Sequence, residues 1–409
     1  GYEAGTLINT GVQNTLIGGK VGDALTSGVE NVAIGYSALS TEDTRGQNVA
    51  VGNYALHSLN TSTNGNNTAV GYFAGLNMTL GKFNTSLGSL SMGTGITTGD
   101  YNVALGYKAL EVVTSGSHNI GLGTGAGGAL TTGGENVLLG INAGLAIVSA
   151  NNNVAIGHEA LKTNVDGDSN IAIGYESLKT LEPSDGHSYN VAIGHQSGKS
   201  ITTGTFNTVL GGLAGDALTT GTGNVALGYN ALSDETTGGQ NIAIGNNAMS
   251  SSQLSQHNIA IGQDALQNVT LASLNNSYNI GIGYSAGNDV TSGKKNILIG
   301  GLAGALMTTA EHNIGIGYNA LGGGSSTAIT GGSNVAIGTN AGSNMSSGGS
   351  NTAVGYQAGL AVTTGVSNTF MGSGAGDAIN TGDYNVAIGR GALSTEDQFG
   401  YNVAVGAFS

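Results

Sequence analysis

Hydrophobic and polar positions alternate over very short stretches of this chain, and the same stretch keeps returning. It reads Asn, then Val, Ile or Thr, then a small residue, then an aliphatic one, then Gly, as in Asn31-Val32-Ala33-Ile34-Gly35 and Asn402-Val403-Ala404-Val405-Gly406. Twenty-three asparagines open such a unit. Most of the intervals between them equal the step from Asn31 to Asn48, and the few longer ones reach at most the step from Asn258 to Asn279. With the asparagine as position 0, the β-branched residue at +1 and the aliphatic one at +3 predict a three-residue strand that buries +1 and +3. A period this tight predicts one small unit stacked on itself rather than a globular domain. The expected fold is all-β: a parallel β-solenoid or β-roll of about 23 coils, one continuous array over 1–409.

Position +2 should then point outward, and it is not polar. It is mostly alanine, as at Ala33, Ala50, Ala69, Ala104, Ala155 and Ala172. A strand apolar on both faces is covered on both faces. These alanines are therefore the expected contact face of an oligomer. The invariant glycine at +4 fits a bend that leaves no room for a Cβ. Position +8 is Leu or Met in 11 units and glycine in the other complete ones, where an apolar residue then stands at +11, as in Gly22/Leu25, Gly144/Ile147 and Gly376/Ile379. One interior slot filled from either of two positions is the implied packing rule, since a doubled slot would clash. Extra residues in the long units, as in 58–66, 181–188 and 322–333, read as surface loops. Both ends fall within a repeat, which suggests a piece of a longer repetitive protein.

The anchor asparagines, among them Asn31, Asn48, Asn102, Asn136, Asn153, Asn170, Asn224 and Asn241, fall one above another. They are expected to form an amide ladder that caps the turn rather than a ligand-binding row. Position +5 carries Tyr36, Tyr72, Tyr107, Tyr175, Tyr229, Tyr284, Tyr318 and Tyr356. Corner packing between coils is the first expectation for these, and stacking against glycans the second. His118, His257 and His312 all stand at −1, in non-adjacent units, too far apart to share a metal within one chain. The pairs Glu42-Asp43, Asp234-Glu235 and Glu396-Asp397 read as solvated turns, lacking the dense oxygen spacing of calcium loops. Gly123-x-Gly125-x-x-Gly128 matches a dinucleotide fingerprint by chance, without a βαβ context.

Asn-Val-Ala-Ile-Gly followed by Tyr-x-Ala-Leu and a Thr-Gly turn resembles the head repeats of YadA-like trimeric autotransporter adhesins, over essentially the whole chain. Related repeats resemble segments of bacteriophage fibres. The resemblance implies a left-handed parallel β-roll, three chains around a common axis, and a structural core motif without catalytic residues.

Composition narrows the picture further. Ten Lys+Arg against 24 Asp+Glu give a net charge of −14, with the cations scattered, which argues against a nucleic-acid partner. Cysteine is absent and charged residues make up only 8%, so neither a disulfide scaffold nor a disordered polyelectrolyte fits. No apolar run is long enough to insert in a membrane as a helix. No catalytic constellation or cofactor motif stands out, so an enzyme is not expected. The expected function is an extracellular structural or adhesive fibre segment, homotrimeric, on a cell or virion surface, meeting a host-surface glycan or protein receptor. A self-assembling surface filament is the alternative. An ice-binding solenoid fits less well, because threonine falls mainly in turns at +12 and +13.

Overall fold

Strands form where the repeat places them. Three residues suffice, as in Val32–Ile34, Val49–Val51 and Val137–Leu139, because each strand is flanked by the same strand of the coils before and after it. Pairing is parallel and like sits over like: Val32 against Val49, Ala33 against Ala50, Ile34 against Val51. The computed structural model describes residues 1–183, 186–324, 328–395 and 398–409. It divides into two units, Gly1–Thr205 and Phe206–Ser409, each a parallel β-solenoid of this coil. Among the described residues, eleven such strands lie in the first unit and twelve in the second.

Each coil closes through residues in the left-handed region. In one coil Glu30, Ser37 and Leu39 take φ of 58°, 50° and 52°. Each non-glycine residue so placed costs on the order of 1 kcal/mol, offset by the hydrogen bonds and packing the corner permits. Ser37 N–H, for example, donates to Gly19 O and Leu39 N–H to Ala55 O, both at 3.0 Å. The bend at +4 admits only glycine. Gly35 has φ 134°, and a Cβ there would lie 2.5 Å from the carbonyl oxygen of Gly52 in the next coil.

The strand faces are the reverse of the sequence expectation. Ala33, Ala50, Ala69, Ala104, Ala155 and Ala172 point inward and are fully buried within the single chain, so they form no contact face for a partner. Positions +1 and +3 face out: each strand is half-exposed or exposed at its ends and, apart from Leu16 in the first coil, buried at its centre. The physical reason is width. The coil interior also receives the +7 alanine, the +8 and +11 side chains and the asparagine, and it has room for little more than a methyl group at +2.

Where the +2 residue is large, glycine at +8 makes the space. Leu138 fills the volume left by both Gly127 and Gly144: a Cβ on either would come within 2.7 or 2.8 Å of a Leu138 methyl. Leu298 stands in the same relation to Gly287 and Gly304. Phe370 does so with Gly359, whose added Cβ would lie 2.8 Å from its ring, and with Gly376. Interior volume is thus shared across the coil boundary as well as within a coil. The one-slot rule for +8 and +11 holds only in one direction. Glycine at +8 comes with an apolar +11, but Leu56/Leu59, Leu110/Val113, Leu178/Leu181 and Leu266/Val269 fill both positions, all fully buried and without a clash.

The unit from Asn258 carries its insertion as structure. Thr270–Asn276 pairs in parallel with Gln253–Gln256, a second two-stranded sheet beside the main ladder.

A double-mutant cycle tests the shared volume. Gly144→Leu alone is expected to destabilise the protein by roughly 1–3 kcal/mol through overpacking, and Leu138→Ala alone by about 2–5 kcal/mol through a cavity. The combined variant should recover much of the loss, because the residues compete for one space. Additive losses in denaturant unfolding would show that the two sites are independent.

Candidate functional site

The buried asparagine is where neighbouring coils are tied. Asn48 donates its backbone N–H (3.1 Å) and its Nδ2 (3.3 Å) to Oδ1 of Asn31, one coil earlier. Asn136 repeats this on Asn119 at 3.1 and 3.0 Å, and its Nδ2 also reaches the carbonyl oxygen of Ala150 at 2.8 Å. The carbonyl of Asn48 accepts from Val32 N–H at 2.9 Å, so the residue's polar groups are used within the fold. Asn31, Asn48, Asn102, Asn136, Asn153, Asn170, Asn224 and Asn241 are all without solvent exposure, which leaves no face of the ladder for a ligand.

What remains outside is a set of columns at fixed positions. The broadest is the strand face. Val103, Leu105, Ile120 and Leu122, from two adjacent coils, are 37–44% exposed. Equivalent Val, Ile, Thr and Leu side chains continue this face through each unit. Contiguous exposed apolar side chains of this kind make the strand face a candidate contact surface.

The +5 tyrosines Tyr36, Tyr72, Tyr107, Tyr175, Tyr229, Tyr284, Tyr318 and Tyr356 lie on the next face, 44–56% exposed. Coil stacking sets their geometry. Tyr175 is sandwiched between His158 and His195, with ring centroids 5.4 and 5.2 Å apart and planes within 12°. Both of its faces are thereby occupied, and a sugar could meet only its edge. A Cβ added to Gly19, Gly212 or Gly301 would meet the ring of Tyr36, Tyr229 or Tyr318 at 3.5–3.6 Å, so these rings lean over the coil before them. His118 and His257 at −1 pack on aromatic neighbours: His118 stacks on Tyr101, which stacks on Phe83, and His257 lies against Tyr278 at a 35° tilt. Among the described residues there is no group of His, Asp and Glu arranged to hold a metal ion.

The acidic turns differ from the expectation. Glu42 and Glu235, both at +11, are fully buried rather than solvated. Glu42 accepts from Arg45 N–H, Thr61 N–H and the Thr61 hydroxyl, each at 3.2 Å. Burial raises its pKa above the ordinary carboxylate value, and those donors oppose the rise. Glu235 accepts from the N–H groups of Thr236, Gly238, Leu254 and Ser255 and from the Ser255 hydroxyl, at 2.7–3.1 Å. Each carboxylate replaces the aliphatic +11 residue by satisfying backbone donors inside the turn. Glu396-Asp397 lie outside the described residues.

Sequence reasoning missed an ion-pair ladder on the +6 and +9 columns. Lys162 and Lys179 meet Glu159 at 2.6 and 2.7 Å; Lys179 and Lys199 meet Glu176 at 2.6 and 2.9 Å. Gln196 adds a hydrogen bond to Glu176 at 2.8 Å. The signal was present as Glu-x-x-Lys in two consecutive units, but its second half appears only when the period is applied across coils. Hydrogen bonds from Lys179 and Lys199 hold the Glu176 carboxyl far below its ordinary range, and those to Glu159 and Glu176 push the Lys179 amine above its own.

Compared with known proteins, the chain matches no family model and no curated sequence.

The ladder makes a two-sided pH prediction. A depressed carboxyl contributes stability that is present above its unfolded pKa, near 4.5, and is lost as pH falls toward the depressed value. A raised amine contributes stability present below its unfolded pKa, near 10.5, and lost as pH rises through the raised one. Glu176→Gln should therefore lower stability at pH 7 by on the order of 0.5–1 kcal/mol, and the deficit should shrink progressively as pH falls below 4.5 and also in 1 M salt. A deficit unchanged between pH 7 and pH 2 in thermal melts would mean that packing, not charge, makes the difference.

Proposed function

We propose that this chain is a segment of an extracellular structural or adhesive fibre, associating as a homotrimer through the outward strand face. The observation that carries the reading is the paired rows of Val, Ile, Thr and Leu at +1 and +3, half-exposed in strand after strand. Rows of this kind are continuous, because every coil contributes the same two positions in register. Continuity and repetition suit a second and third copy of the same face: coil-for-coil apposition covers both rows with identical chemistry. The trimer, rather than a dimer, comes from the resemblance to YadA-like head repeats.

Adhesion follows from multiplicity. Side chains on the remaining faces recur coil after coil, and three chains triple them, so weak contacts to a host-surface glycan or protein add through avidity. Stability and recognition are also assigned to different positions. Inward residues are fixed by volume, whereas +5, +6 and +9 vary from coil to coil without disturbing the stack.

Light scattering across a concentration series tests the association. A plateau at three times the 40.2 kDa chain is expected. Leu105→Glu with Leu122→Glu should shift the mass to monomer while the β-sheet circular dichroism is retained. A wild-type monomer at all concentrations would sink the proposal, and growth without a plateau would favour the filament.

A further inference from the structure

One coil breaks the regularity of its neighbours, and the break is a cavity. In the coil from Asn119, the +6 and +9 positions are both glycine, Gly125 and Gly128, where the coils on either side place Lys108 and Glu111, and Asn142 and Leu145. The missing side chains leave a notch of about 660 Å³. This falls in the size range of small-molecule sites, roughly 300–1,000 Å³. Tyr107 walls one side, half-exposed, with Lys108 Nζ 5.7 Å from its ring centroid. Beneath Tyr107 the next coil offers only Thr124 and Gly125, so no aromatic neighbour covers the ring on that side, in contrast to Tyr175.

The polar groups are few and available. The Asn142 carboxamide leans into the space over Gly125, where an added Cβ would lie 2.8 Å from its Oδ1. Other +6 asparagines pair along the column, Asn230 to Asn247 at 3.2 Å and Asn319 to Asn340 at 2.9 Å. Asn142 has Gly125 in the preceding coil, so on that side no +6 side chain pairs with it, and it has Glu159, engaged by Lys162 and Lys179, in the following one. Lys108 and Glu111 neutralise each other at 3.2 Å. The rest of the lining is carbon: Val112, Ala129, Leu145 and Ala146.

We infer that this notch binds one N-acetylated hexosamine residue of a neutral glycan. The charge argument selects an uncharged ligand, since the site's own ions are paired and the chain carries a net −14 that disfavours anions. The half-exposed Tyr107 ring, shared with the Lys108 ammonium, offers aromatic carbon to the apolar side of a pyranose. The carbon-rich floor suits an acetamido methyl, and the unpaired Asn142 carboxamide suits the acetamido N–H or C=O. The notch lies on the +5 to +10 face, away from the +1 and +3 rows, so covering those rows leaves it open. Two glycines of the cluster that matches a dinucleotide fingerprint in the sequence, Gly125 and Gly128, thus line this site. This inference rests on the adhesive reading above and supplies it with a receptor chemistry.

The test uses the whole chain with chitotriose as probe, followed by saturation-transfer NMR and calorimetric titration. Binding is expected in the millimolar range per site, with the strongest transfer to the acetyl methyl groups, and at least fivefold weaker for cellotriose. Gly125→Asn is the decisive variant. Asparagine occupies the same left-handed corner at Asn142, Asn230 and Asn247, with φ of 56°, 59° and 53°, so the substitution fills the notch in a backbone conformation asparagine already adopts, with the Asn142 carboxamide turning aside from the new Cβ. It should keep or raise the melting temperature and weaken binding more than tenfold, as should Tyr107→Ser. Absence of transfer with the wild type, or equal transfer with Gly125→Asn, would overturn the proposal; equal binding of cellotriose would overturn the acetamido assignment. Solution mass on the same samples keeps the two readings apart. A trimer that ignores chitotriose removes the notch alone, and a monomer that binds it removes the association alone.

Discussion

The buried asparagine sets the register on which the rest of the structure depends. A strand of three residues makes too few ladder bonds to fix its own alignment, and a slip of one residue would exchange the inward and outward rows. Asn48 prevents that slip. Its backbone N–H and Nδ2 both reach Asn31 Oδ1, while its carbonyl receives Val32 N–H. A shifted coil would strand an amide and two backbone groups in a dry interior, each at about 1–3 kcal/mol. The interval between asparagines can lengthen, as it does from Asn258 to Asn279, because the extra residues fall outside this lock.

Fixed register turns the sequence into columns, and columns decide what chemistry the surface can hold. Each position meets its own equivalents above and below at strand spacing, ~4.8 Å. Rings therefore stack, amides pair, and opposite charges zip, as in Phe83–Tyr101–His118, Asn230–Asn247 and Glu159–Lys179–Glu176. These contacts satisfy the groups laterally and remove them from ligand chemistry. Converging a catalytic set would require different residue types at several columns of adjacent coils. A recess needs much less, because two glycines in one coil suffice, and the coil from Asn119 has them.

The strand positions, the glycine bend and the amide ladder were legible because each has a single physical solution: alternation, φ > 0, and a buried polar group needing partners. Facing was not legible. Val32 and Ala33 are both apolar, and β-branched residues ordinarily go inward, but the narrow coil admits Ala33 and turns Val32 out. The same narrowness hid the trade between Leu138 and its two glycines, because Gly127 belongs to the preceding coil and Gly144 to its own. Glu42 and Glu235 misled for a related reason. A carboxylate in a Thr- and Gly-rich turn reads as solvated, and only the folded turn reveals the backbone N–H groups converging on it. The Glu176 pairs needed the coil period before Lys199 could be counted as a neighbour.

That inversion changes which side chains the proposed association would use. Had the alanines faced out, close approach of backbones would have been the attraction, and the face would have been nearly featureless. With β-branched and aliphatic side chains outside instead, each coil presents two stiff, well-defined knobs whose few rotamers cost little entropy to fix. Thr68 and Thr85 interrupt the row at +1 in adjacent coils without breaking its shape, since threonine and valine are nearly isosteric. A face assembled this way can be self-complementary along its length while changing polarity locally. A long homomeric interface needs that local variation in order to select one register over those displaced by a whole coil.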